Sequence, residues 1–121
     1  MILNIEGCEN ADLQFHLYNA GHFFAKELLT AQMLPHIHVN IIIKPLSKEL
    51  GTCCVTHYNS WYKPRTFRIE LRKHRSLKST LLTLAHEMVH VKQYATGELN
   101  IWLNKWQKQK IDTTSISYSQ L

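Results

Sequence analysis

Residues 86–90 read HEMVH, and neither the five residues before them nor the five after contain proline or glycine. The whole stretch can therefore form one helix. At about 3.6 residues per turn, His86 and His90 lie one above the other, so both imidazoles can reach a single metal ion while Glu87 projects beside them. Two histidine ligands flanking a carboxylate that activates water are the pattern of zinc peptidases.

The sequence around the motif also favours a helix. Ser76 can cap its start, and Gly97 can adopt the left-handed conformation that ends a helix. An apolar stripe at spacings of three and four consists of Leu77, Leu81, Leu84, Ala85, Met88, Val91 and Ala95. We predict that this stripe packs on the core while the adjacent flank binds metal. The alternative is a core helix with two incidental histidines.

Length and composition predict one small globular domain. The chain has 121 residues, of which 45% are hydrophobic, and it contains none of the runs of about 20 apolar residues that a membrane span needs. The N-terminus lacks the basic start and apolar region of a secretory signal, so we expect a soluble cytoplasmic protein. The three cysteines, with no CxxC spacing, are expected to be reduced thiols rather than disulfides or zinc ligands.

The remaining elements follow from periodicity. Apolar residues at helical spacing predict a helix over residues 12–34, ended by Pro35. Segments rich in β-branched residues or with clean alternation predict three strands, over residues 37–43, 52–58 and 66–72. The predicted order is a helix, three strands and then the HEMVH helix.

This order, together with the motif, resembles the zincin metallopeptidases, and the small size is similar to the SprT-like and minigluzincin groups. Residues 86–99, HEMVHVKQYATGEL, are particularly similar to small predicted peptidases of tailed bacteriophages. The resemblance implies an α+β fold with an N-terminal helix, a three-stranded sheet and a metal-binding helix under it. It also implies that an edge strand receives the substrate peptide by strand addition. For a phage-encoded protein, the compartment would be the host cytoplasm.

The third zinc ligand is left open by the sequence. A catalytic zinc usually has three protein ligands, whereas His86 and His90 supply two. The chain has Gln93 and Thr96 where metzincins have glycine and histidine, so that subclass is excluded. The remaining internal candidates are Glu98, His57 and His74.

In the similar phage proteins, a segment with tryptophan and lysines leads into a short helix whose glutamate completes the site. Residues 106–110 and the tail 115–121 are similar to that lead-in, but nothing acidic follows Asp112. We therefore expect residues 1–121 to form a single minimal domain that lacks a C-terminal ligand segment and binds zinc loosely. A ligand from another chain or a water is the alternative.

Positive charge is concentrated before the motif. The formal net charge is +5, and residues 65–78 carry Arg65, Arg68, Arg72, Lys73, Arg75 and Lys78. Such clusters favour polyanions, and Trp61 and Tyr62 just upstream could stack on bases. SprT-like proteins include DNA-associated proteases, so the resemblance implies nucleic acid as a partner. The alternative is that these side chains merely solvate a strand edge and a loop.

Together these features predict a zinc metallopeptidase. His86 and His90 would bind Zn²⁺, and Glu87 would act as the general base towards the metal-activated water that attacks a peptide bond. The alternative from a different class is a non-catalytic zincin-like module that binds DNA or a host protein and keeps the histidines as structural ligands. A bystander fold without metal is the third possibility.

Overall fold

The computed structural model of the chain describes residues 1–56 and 64–98. Two helices and four strands follow one another in an α+β arrangement, together with one short 3-10 turn. In chain order these elements are β1 (Ile2–Glu6), α1 (Ala11–Leu28), the 3-10 turn (Leu34–His36), β2 (His38–Lys44), β3 (Gly51–Val55), β4 (Thr66–Arg72) and α2 (Leu77–Thr96).

The four strands form one mixed sheet in the order β1-β2-β4-β3. β1, β2 and β4 run parallel, whereas β3 pairs antiparallel with β4. The predicted three-stranded sheet is therefore wrong by one strand. β1 was missed because it is five residues long and has apolar residues on both faces: Leu3 is buried while Ile2 is exposed. Its pairing partner β2 lies more than thirty residues away, so tertiary pairing decides its conformation.

Both helices pack on one face of the sheet. α1 contacts β1, α2 contacts β3 and β4, and the two helices contact each other. Alternate residues of the central strands point into this layer, as a sheet with one buried face requires. The buried side chains of β2 and β4 are Val39, Ile41, Ile43, Phe67, Ile69 and Leu71. The core therefore lies between the sheet and the two helices.

The first helix ends six residues earlier than predicted. Asn10 caps it by accepting hydrogen bonds from the backbone N–H groups of Asp12 and Leu13. Leu29 then turns into an extended conformation and is buried. The backbone carbonyl of Thr30 accepts from Met33 N and Leu34 N, so a separate turn forms before Pro35. Burial of Leu29 thus overrides the helical periodicity that continues towards residue 34.

The second helix has the predicted ends. Ser76 Oγ accepts a hydrogen bond from Ser79 N, and Gly97 adopts the left-handed conformation with φ of 83°. β4 also has the predicted bounds. β2 is shifted by one residue at each end, and β3 begins one residue early and ends at Val55, while residues 57–58 of the prediction lie outside the described residues. Neither described helix is long and apolar enough to cross a membrane.

The buried face of α2 contains most of the predicted stripe, with Leu84, Met88, Val91 and Ala95 buried, but at its start it is rotated away from Leu77. Leu77 is 40% exposed, whereas Thr80, Thr83 and Glu87 are buried. The two threonines can be buried because their hydroxyls donate to the backbone carbonyls of Ser76 and Ser79, four residues earlier. This rotation places Glu87 on the side of the helix that packs on the sheet.

Candidate metal centre

The two motif histidines meet on α2. His86 Nε2 and His90 Nε2 are 3.2 Å apart, and their rings are nearly perpendicular. In a tetrahedral site with Zn–N bonds of about 2.0–2.1 Å, two ligand nitrogens are separated by about 3.3–3.4 Å. The observed separation therefore fits two nitrogens on one zinc ion. It also fits a hydrogen bond between the rings in the metal-free protein.

Gln93 fixes the orientation of His90. Its Oε1 lies 3.0 Å from His90 Nδ1. Since an amide oxygen can only accept, Nδ1 carries the proton. In the neutral ring the lone pair is then on Nε2, the atom that faces His86. A ligating histidine is commonly held in this way by a hydrogen bond to its other nitrogen.

The electrostatic surroundings keep His86 neutral. Burial lowers the pKa of His86 below its usual value, and the charge of His90 lowers it further. Metal binding requires an unprotonated imidazole nitrogen, so a lowered pKa prepares the ring for that role near neutral pH.

Glu87 is a buried carboxyl group with an unmet hydrogen-bonding capacity. Only 1% of the residue is exposed, and its Oε2 has no hydrogen-bond partner among the described residues. Burial raises the pKa of Glu87 to about 8. A buried carboxyl group with a strongly raised pKa next to two histidines is typical of a functional site, and the orphaned oxygen fits a site completed by another group.

The edge strand β3 borders this site. Cys53 on β3 is half-buried, and its pKa is raised well above the usual value by burial first and then by the charges of Glu87 and Cys54. No role in the site was predicted for Cys53 from the sequence. Strand alternation, which puts Cys53 on the same sheet face as the buried Val55, is the signal that places it towards α2.

The third ligand is not found in the part of the chain that the structure describes. No group of three histidine, cysteine or acidic side chains there could hold a metal ion. Glu98 instead contacts Lys92 Nζ at 2.6 Å and accepts from Thr96 Oγ1. His74 lies in the loop before α2, six residues before Thr80. It is therefore near the first turn of α2, whereas His90 is in the second half of that helix. His57 lies outside the described residues, as does the segment from residue 99 onward.

The basic segment 65–78 divides into groups with different surroundings. Arg65 Nη1 donates to the backbone carbonyls of Pro64 and Ala95, so it ties the start of β4 to the end of α2. Arg68 lies 3.8 Å from Glu70 on the open face of the sheet. The loop cations Lys73 and Arg75 lie near the start of α2. The cations of this segment therefore differ in their surroundings, and Trp61 and Tyr62 lie outside the described residues.

Comparisons of this chain with models of protein families, with curated proteins and with solved structures gave no match.

Proposed function

We propose that this chain is a zinc-dependent metallopeptidase in which His86 and His90 hold the metal and Glu87 is the general base. The observation that supports this most directly is the 3.2 Å separation of the two histidine Nε2 atoms, next to a buried carboxyl group with an unpartnered oxygen. A helix whose buried face is interrupted by an acid is unusual, because burial of an unpaired carboxylate is unfavourable. A role in chemistry explains why an acid occupies that position.

Each residue of the motif then has a distinct task. His90, oriented by Gln93, and His86, kept neutral by burial, present their nitrogens to the ion. When bound, zinc would act as a Lewis acid that polarises the peptide carbonyl, and its positive charge would favour the ionised form of Glu87. Glu87 takes a proton from the attacking water and passes it to the leaving amine. Burial alone raises its pKa to about 8, and the charge of a bound ion would lower the pKa from there towards the working pH, where an efficient acid and base titrates.

The edge strand offers a place for an extended peptide. Leu50 O accepts from Arg72 N and Thr56 N donates to Thr66 O, so the even-numbered residues of this region exchange hydrogen bonds with β4. In an antiparallel ladder the intervening residues, among them Cys53, turn their backbone groups away from β4. Strand addition on this side would lay a substrate along β3, beside Glu87. A substrate cleft along β3 is therefore part of this proposal, because β4 is internal to the sheet that the described residues form.

The non-catalytic alternative is favoured by one observation. The described residues contain no group of three side chains able to hold a metal ion. With two ligands from this chain, the histidines would serve a structural or residual role, and the protein would act as a module that binds DNA or a host protein. The basic residues of segment 65–78 would then contribute to binding nucleic acid.

The deciding experiment combines metal analysis with peptide cleavage. Because the chain is expected to hold zinc loosely, the metal is supplied in excess, and we expect the zinc-loaded protein to cleave an unstructured protein such as casein at a low but measurable rate. Glu87→Gln should keep the zinc and reduce hydrolysis by about 10²-fold or more, because it removes acid–base assistance while leaving the two histidines intact. His86→Ala should lose both the zinc and the activity.

The outcomes separate the two functions. Zinc without cleavage in the unmodified protein would favour the binding module. Cleavage that persists in Glu87→Gln would reject Glu87 as the base. Lys48→Ala, a change on an exposed loop, is the matched control and should alter neither quantity.

A further inference from the structure

A cavity of about 260 Å³ lies at the end of the sheet where the parallel strands β1, β2 and β4 have their carboxyl ends. It is open to solvent on one side and is lined by the loop after β1, by Ile43 near the end of β2, and by the loop between β4 and α2. Thr80 lines it from the first turns of α2. His86 is six residues further along, about 9 Å at about 1.5 Å per residue, so the cavity is separate from the metal centre.

The lining of this cavity is strongly basic. Arg72, Lys73 and Arg75 contribute to it, together with His74, while Glu9 supplies one carboxylate. No carboxylate among the described residues lies within ion-pair distance of the three cations. The cations therefore exceed the acids by two at this cavity. Repulsion among like charges held close together is unfavourable unless an anion neutralises them.

The start of α2 adds to the positive potential at this cavity. The first turn of α2 contains no acidic residue, so the positive end of the helix dipole is not compensated there. Lys73 and Arg75 stand just before that helix end, where cations are unfavourable.

We propose that this cavity binds a phosphate group carried by a small ligand. Phosphate matches the donors present, since arginine and lysine form strong charge-assisted hydrogen bonds to its oxygens. The volume is below the roughly 300–1,000 Å³ of sites for drug-sized molecules, so the ligand is small. The apolar side chains of Leu13 and Ile43 supply a wall for a non-polar part of such a ligand. This site is independent of the zinc site.

The test is a titration of the full-length protein with inorganic phosphate at constant ionic strength, followed by backbone amide NMR shifts. We expect saturable shifts concentrated in residues 7–10 and 72–75. Lys73→Gln should weaken the affinity by about tenfold or more, as expected for losing a charge-assisted hydrogen bond. Lys73 is chosen because Arg75 also donates to Thr83 Oγ1, so replacing Arg75 would disturb α2 as well.

Two controls distinguish this site from other causes. Lys48→Gln removes an equal charge outside the cavity and should leave the affinity unchanged. His86→Ala should bind phosphate as the unmodified protein does, which excludes phosphate bound through zinc. Equal affinities in Lys73→Gln and the unmodified protein, or the same shifts with chloride, would overturn the proposal.

A second arm identifies the source of the phosphate. A short oligonucleotide with a 5′-phosphate and the same oligonucleotide without it are each tested as competitors of inorganic phosphate. Competition by the phosphorylated form alone assigns the site to a terminal phosphate of nucleic acid. Failure of both to compete assigns it to a free small phosphorylated molecule. Equal competition by both forms would mean that a phosphodiester backbone is recognised, which contradicts a site for a small ligand.

Discussion

Gln93 accepts a hydrogen bond of 3.0 Å from His90 Nδ1, and this contact decides which nitrogen of His90 faces His86. The two residues are three apart on α2, so the contact is built into one turn of the helix. The zinc affinity of the site should therefore depend on a side chain that never touches the metal.

We predict that Gln93→Leu weakens zinc binding by about 10–100-fold, the usual effect of losing such a supporting hydrogen bond. Gln93→Glu should retain the affinity, because a carboxylate also accepts from Nδ1–H. Zinc affinity can be measured by competition with a chromogenic chelator. Unchanged affinity in Gln93→Leu would show that the orientation of His90 is set by another contact.

Glu87 should make the stability of the metal-free protein depend on pH. Burial raises its pKa to about 8 in the folded protein from 4.5, so folding favours the protonated form. The contribution of Glu87 to the free energy of unfolding is fully present below pH 4.5 and is lost as the pH rises towards 8. Each pH unit within this interval lowers the free energy of unfolding by at most about 1.4 kcal/mol.

Urea unfolding with a chelator present, at about pH 5 and about pH 8, should therefore show the unmodified protein losing stability relative to Glu87→Gln. The lowered pKa of His86 changes stability in the opposite direction below pH 6.5. His86 is present in both the unmodified protein and Glu87→Gln, so the difference in their free energies of unfolding isolates the effect of Glu87. A difference that stays constant with pH would contradict the raised pKa.

The thiol of Cys53 should react slowly. Its pKa is raised by burial and by the charge of Glu87, and only the thiolate is nucleophilic. In variants that keep one cysteine each, we expect alkylation of Cys53 at about pH 8 to be at least about tenfold slower than that of an exposed cysteine in the unfolded protein. Glu87→Gln should accelerate the reaction only modestly, because burial is the larger cause. Full-rate alkylation would show that Cys53 is accessible and not shielded between β3 and α2.

The ends of α2 could be predicted from the sequence because they depend on local chemistry. A serine that caps the first turn and a glycine that accepts a positive φ act on their immediate neighbours. β4 was predicted because Phe67, Ile69 and Leu71 alternate with polar residues over the whole strand. Signals of this kind do not require knowledge of what packs against them.

The environment of Glu87 could not be predicted in the same way. The apolar stripe correctly included Leu84 and Met88, but it also included Leu77, which is 40% exposed, and it left out Thr80, Thr83 and Glu87, which α2 presents to the sheet. Polarity alone does not reveal that a threonine satisfies its hydroxyl within its own helix and can then be buried. The rotation depends on contacts with β3, whose position at the edge follows from the pairing of β3 with β4.

The distance between β3 and α2 depends on Gly51. A Cβ at this position would lie 2.7 Å from Thr83 Cγ2 and 3.0 Å from the backbone oxygen of Glu70. Thr83 cannot easily rotate away, since its hydroxyl donates to Ser79 O and accepts from Arg75 Nη1. An added methyl group must therefore push the strand and the helix apart.

We predict that Gly51→Ala lowers the free energy of unfolding by about 1–3 kcal/mol, the typical effect of overpacking. Combining it with Thr83→Ser, which removes Cγ2 but keeps the hydroxyl, should recover part of that loss. Partial recovery is expected because the contact with the Glu70 oxygen remains.

Denaturant unfolding of both single variants and the double variant gives the coupling between the two positions. Additive effects would show that Gly51 and Thr83 do not limit each other. Coupling would instead show that this contact sets the gap between β3 and α2, and Gly51→Ala should then also reduce peptide cleavage, because Glu87 lies on the helix face that is displaced from β3.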